Sequence, residues 1–118
     1  MFIILKDMKK GVFPIIKDET HTTSAATTWG DDTTKEVGVI KVAGAHGVTF
    51  DSDNYPGEPG DCVLVQNSHS AATTVTITPD PFGDAEGDAQ GLAAGSVCTV
   101  LYHPVHKWVF FGGTGTIG

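Results

Sequence analysis

Apolar and polar residues alternate with a period of two through much of the C-terminal two thirds of the chain. In "TTVTITP", residues 73–79, Val75 and Ile77 fall on one side and threonines on the other, the signature of a strand with one buried face. "VGVIKV" at 37–42, "GVTF" at 47–50, "CVLVQN" at 62–67, "SVCTVLY" at 96–102 and "KWVFF" at 107–111 read as further short strands. Between them lie "DSDNYPGEPGD" at 51–61, "SHSAA" at 68–72 and an acidic stretch, "DPFGDAEGDAQGLAAG", at 80–95. These segments have turn chemistry. The three glycines of "EGDAQGLAAG" argue against more than one helical turn there. The pattern predicts an all-β fold, a small antiparallel β-sandwich or barrel. Val63, Val65, Val75, Ile77, Val100 and Trp108 are its expected core.

The first 36 residues lack this period. Phe2–Leu5 and Val12–Ile16 form two apolar knots separated by charges and Gly11, and a small, Thr-rich run follows. Residues 1–36 are therefore expected to be an extended N-terminal arm, and 37–118 the β-domain. A disordered terminus is the alternative. Phe2, Ile3, Ile4, Leu5, Phe13, Ile15 and Ile16 are too apolar to leave in water, so the arm is expected to dock on this domain or a neighbour. A receptive surface is suggested by "KWVFF", which is apolar on both faces. Trp108 and Phe110 point one way, Val109 and Phe111 the other, so a second cover is required. Val109 and Phe111 join the arm residues as candidate interface positions.

Composition narrows the function. The 118 residues include seven Lys and no Arg, against 14 acidic residues, for a net charge of −7. Such a chain has no electrostatic footprint for nucleic acid, and anionic membranes repel it. No apolar run approaches the roughly 18 residues of a membrane span. The opening residues are apolar rather than basic, unlike a secretory signal.

Candidate chemistry is sparse. His103 and His106 flank Pro104-Val105 in H-x-x-H spacing, but Cys98 lies several residues down the strand, out of reach at strand rise, so local zinc chelation fails. Turn histidines are the expectation. Cys62 and Cys98, each in an alternating apolar run, are expected as buried free thiols, with a disulfide between neighbouring strands as the alternative. The acidic stretches offer Asp51, Asp53, Glu58 and Asp61, then Asp80, Asp84, Glu86 and Asp88. Asp84-x-Glu86-x-Asp88 lacks the Gly and closing Glu of a calcium loop, so solvated loops are expected. No nucleophile elbow or positioned carboxylate suggests catalysis. Neither an enzyme, a cofactor nor a resident metal is expected.

The pieces Phe50, Gly60-Asp61, Val63 to Asn67, Thr74 to Thr78 and Ala93-Ala94-Gly95 resemble the pattern of small bacteriophage head decoration, or cement, proteins. "KWVFFGGTG" is also similar to the ends of head-fibre and tail-spike β-domains. The resemblance covers about 65 of the 118 residues. It implies a jelly-roll or β-tulip-like sandwich and a non-enzymatic virion protein, assembled in the host cytoplasm and placed on the outer capsid surface. It further implies a homo-oligomer, a trimer, bound to the major capsid protein. A tail, head-fibre or receptor-binding domain is the alternative, and exposure of Trp29 and Tyr55 together would favour it.

Overall fold

The computed structural model describes residues 15–79 and 88–114. Their regular elements are strands: β1 Ile15–Ile16, β2 Glu19–Thr22, β3 Thr27–Thr28, β4 Val37–Val42, β5 Val48–Asp51, β6 Asp61–Asn67, β7 Thr73–Thr78, β8 Asp88–Leu92, β9 Val97–His103 and β10 Lys107–Thr114. Two sheets pack together as a β-sandwich. One has the order β10-β9-β6-β4-β2, with β1 also on β6, and the other the order β3-β5-β7-β8.

The pairing departs from the antiparallel expectation. From β2 to β7 the chain alternates between the sheets, so each strand lies parallel to the next one in its own sheet. Thus β2, β4 and β6 are parallel neighbours, as are β3, β5 and β7. A parallel pair needs a crossover of a dozen residues or more. Here the crossover is a strand of the opposite sheet with its two loops, so a helix is unnecessary. Antiparallel pairing appears in β7–β8, β6–β9 and β9–β10.

The boundary between arm and domain also moves. Residues 15–36 belong to the sandwich: β1 and β2 extend one sheet, β3 extends the other, and Trp29 lies in the core. The Trp29 indole N–H donates to the Val37 carbonyl at 3.0 Å. Short strands in a Thr-rich run carry too few apolar positions to display a period. Gly38 lets this segment pass, because a Cβ there would overlap the Lys17 carbonyl where the chain crosses from beside β6 towards β2. Residues 88–92, read from sequence as loop, form the edge strand β8.

The expected core is present: Val63, Val65, Val75, Ile77, Val100 and Trp108 are all buried. Trp108 stands at its centre, with Trp29, Phe50 and Tyr102 each at a ring-centroid distance of 5.0 Å. Such tilted and edge-to-face pairs add to the stabilisation from area buried.

Cys62 pairs with Leu101 and Cys98 with Val65, so the thiols are three positions out of register on opposite faces of the sheet. Both are free and buried, as the sequence suggested. Burial pushes the Cys98 thiol up to about 11 and also raises Cys62.

Candidate interaction surface

The loops fall into two groups because the chain shuttles between sheets. Residues 23–26, 43–47 and 68–72 turn at one end, and 29–36, 52–60 and 104–106 at the other.

At the first end each turn is tied to the next. Thr23 Oγ1 lies 2.8 Å from His46 Nε2 and accepts the Ala43 amide at 3.1 Å. The Thr73 hydroxyl donates to the His46 carbonyl at 2.6 Å, and the Ser68 hydroxyl to the Val42 carbonyl at 2.8 Å. Asn67 completes the network. Its side-chain amide donates to the Ala71 and Leu92 carbonyls at 2.8 and 2.9 Å, and its Oδ1 accepts the His69 amide. Asn67 is fully buried, and among the described residues no buried side-chain nitrogen or oxygen lacks a partner. Thr23 and His46 resemble a nucleophile–base pair only in distance. Thr23 is buried and its oxygen is occupied by a backbone amide, so the pair locks turns together.

At the second end three loops share one device. Asp31 accepts the amides of Thr33 and Thr34, and Asp51 those of Asp53 and Asn54. His103 Nδ1 likewise accepts the amides of Val105 and His106, at 3.0 and 3.1 Å. In each case a side-chain acceptor at the first position satisfies the second and third amides beyond it, as Asp and Asn do in Asx turns. This explains the H-x-x-H spacing. With Nδ1 accepting two N–H groups, the His103 ring proton is on Nε2, and neither nitrogen offers a lone pair to a metal without breaking the turn. The His103 and His106 rings lie 5.0 Å apart by centroid. No group of three or more His, Cys, Asp or Glu capable of holding a metal occurs among the described residues.

The carboxyls feel this geometry. Partial burial would raise Asp31, but its bonds from Thr34 and Thr33 outweigh that and hold it below its ordinary 3.8. The Asn54 side-chain amide is the main cause holding Asp51 below the same value, assisted by the Asn54 and Asp53 amides.

Hairpin β9–β10 closes with Pro104, Val105 and His106 between the paired His103 and Lys107, and Lys107 adopts φ 67°. A three-residue turn followed by a left-handed residue is a standard hairpin solution. Loop 52–60 packs beside it. Trp108 donates its indole N–H to the Tyr55 carbonyl at 3.3 Å and its amide to Ser52 Oγ at 3.4 Å. The Gly60 amide donates to the Tyr102 carbonyl at 3.0 Å. Gly57 leaves room for the Trp108 ring, which a Cβ there would meet at 2.9 Å.

The candidate interface positions separate. Phe2, Ile3, Ile4, Leu5 and Phe13 lie outside the described residues, as do the acidic positions 80–87. Ile15 and Ile16 pair within the chain, with Asp61 and Cys62. Val109 is half-buried, and Phe111 is exposed at a bulge in β10. Val105, Tyr55 and Phe111 are the exposed large apolar residues among those described, and of these Val105 was not singled out from the sequence. For Val105 the signal was available: a Pro-flanked apolar residue at a turn has no core to face. Trp29, paired in expectation with an exposed Tyr55, is buried.

No protein-family model and no curated protein matches the sequence. A solved structure described as "Structure of a chaperone-substrate complex" is similar over 80% of this chain, at 15% identity and a TM-score of 0.36, and the match covers 18% of that chain. Likeness at that level carries no functional argument.

Proposed function

We propose that this chain is a non-enzymatic virion structural protein, a decoration protein that binds the outside of a bacteriophage head as a homotrimer and stabilises contacts between major capsid protein subunits. The observation supporting this reading is where the family-like stretches fall. Phe50 lies in β5, Gly60-Asp61 leads into β6, Val63 to Asn67 complete β6, Thr74 to Thr78 lie in β7, and Ala93-Ala94-Gly95 turn into β9. They are separate in sequence and fall into two bonded groups, β5 with β7 in one sheet and β6 with the turn at 93–95 in the other. The Asn67 carbonyl accepts the Gly95 amide at 2.8 Å, and the Asn67 amide donates to the Ser96 carbonyl at 2.9 Å. Phe50, Val63, Val65, Val75 and Ile77, which belong to these stretches, share one core.

Heads assembled without the chain, mixed with purified protein and quantified against the major capsid protein, test the reading. The expected result is a fixed stoichiometric ratio to the capsid protein, with heads that resist heat better than bare ones. Only a few copies per particle would move the chain to a tail or vertex, and an absence of binding would remove it from the capsid. The condition that would favour a receptor-binding domain, Trp29 and Tyr55 exposed together, is not met, because Trp29 is buried.

A further inference from the structure

Two neighbouring features at the aromatic end are exposed and complementary to each other. The β9–β10 turn presents Val105, 71% exposed, beside the exposed His106 and Lys107. Loop 52–60 presents Tyr55, 37% exposed, between the exposed carboxylates Asp53 and Glu58. Each thus combines an apolar side chain with charge, positive on the turn and negative on the loop. Lys107 makes no ion pair among the described residues, whereas Lys17 pairs with Glu36 and Lys35 with Asp32. The two features are held side by side through Trp108, and neither Asp53 nor Glu58 pairs with Lys107 within the chain.

We infer that the turn Pro104–Lys107 of one copy docks on loop 52–60 of a second copy. Val105 packs against Tyr55, and Lys107 pairs with Glu58 or Asp53. Charge complementarity selects this occupant. Copies with a net charge of −7 repel at long range, so association requires a local place where opposite signs meet. Lys107 on the turn supplies the positive side. Both elements are already rigid: His103 holds the turn, Asp51 holds the loop, and Pro104, Pro56 and Pro59 restrict the backbone. Little conformational entropy is therefore lost on docking. The contact is heterologous, turn to loop. A contact of this kind forms a ring where the rotation between copies closes, as a trimer requires, and an open chain where it does not. This deepens the proposed function by naming the surface between copies, and rests on that reading only for the trimer.

The test uses the full chain in analytical ultracentrifugation across a concentration series. Wild type should associate. Lys107→Glu, Glu58→Lys and Val105→Asp should each raise the concentration for half-association at least tenfold, with unchanged thermal melts. The double variant Lys107→Glu with Glu58→Lys should recover most of the loss. A monomeric wild type would overturn the inference, as would association indifferent to the three single changes. So would a double variant no better than its parents. Charge-dependent association in a protein that does not bind heads would leave this contact standing and remove only the decoration reading.

Discussion

The two ends of the sandwich are held by different physics. One is closed by three aromatic residues, Trp29, Phe50 and Tyr102, packed around Trp108, with loops in which Asp31, Asp51 and His103 each satisfy two amides. The other is closed by Asn67, Thr23, Thr73, Ser68 and His46, which bond one turn to the next. At the aromatic end packing dominates and the loops organise themselves. At the polar end buried groups depend on partners from other turns, so one missing side chain strands several atoms. The aromatic end also carries the exposed Tyr55 and Val105: its loops are stabilised locally and so leave side chains available for a partner.

Trp108→Ala should lower unfolding free energy by about 3–5 kcal/mol, the range for deleting a buried aromatic side chain. Urea titration followed by far-UV circular dichroism measures it. A loss below about 1 kcal/mol would show that the rings are not the principal support of that end.

At the polar end Asn67→Ala removes two donors and one acceptor without opening a large void. It should cost about 1–3 kcal/mol, the penalty for leaving buried backbone groups unsatisfied. Native-state hydrogen exchange should show the added opening at residues 67–73 and 92–96, with the amides around Trp108 less affected. Equal loosening at both ends would mean that the network is not local.

Acid should produce the smallest effect, at the aromatic end. The folded-state values of Asp31 and Asp51 lie below 3.8. Their contribution is therefore fully present above the unfolded value of about 3.9 and is lost as pH falls through the folded values. Loops 29–36 and 52–60 should gain amide exchange at acid pH before the Asn67 network does. Replacing both aspartates with Asn should flatten that pH dependence without abolishing the fold. Acid loosening that begins around Asn67 would contradict the assignment.

The length of the alternating segments separates what could be read in advance from what could not. Residues 37–42 and 73–79 have enough positions to show a period, and they lie where β4 and β7 lie. Thr27–Thr28 has only two, so β3 and the burial of Trp29 left no local mark. The His103–His106 spacing was legible as a turn, but the Nδ1 acceptor role required the positions of two amides. Val109 and Phe111 were legible as a second apolar face, while their unequal exposure depends on the bulge after Phe110.

Alternation alone was enough to indicate an all-β chain, sandwich or barrel, to pick out six of its core side chains, and to place Cys62 and Cys98 in buried runs. Those properties follow from which residues alternate, and alternation is local. It took the folded chain to show that β2, β4 and β6, and likewise β3, β5 and β7, run parallel, that residues 15–36 belong to the sandwich, and that the turn at 104–106 stands beside loop 52–60. A strand's inward face is written in its own residues, whereas its hydrogen-bonding edges are the same backbone amides and carbonyls in every strand. Nothing in "VGVIKV" distinguishes β6 from β5 as its neighbour. That choice is made when the two sheets close over Trp108 and the turns lock around Asn67.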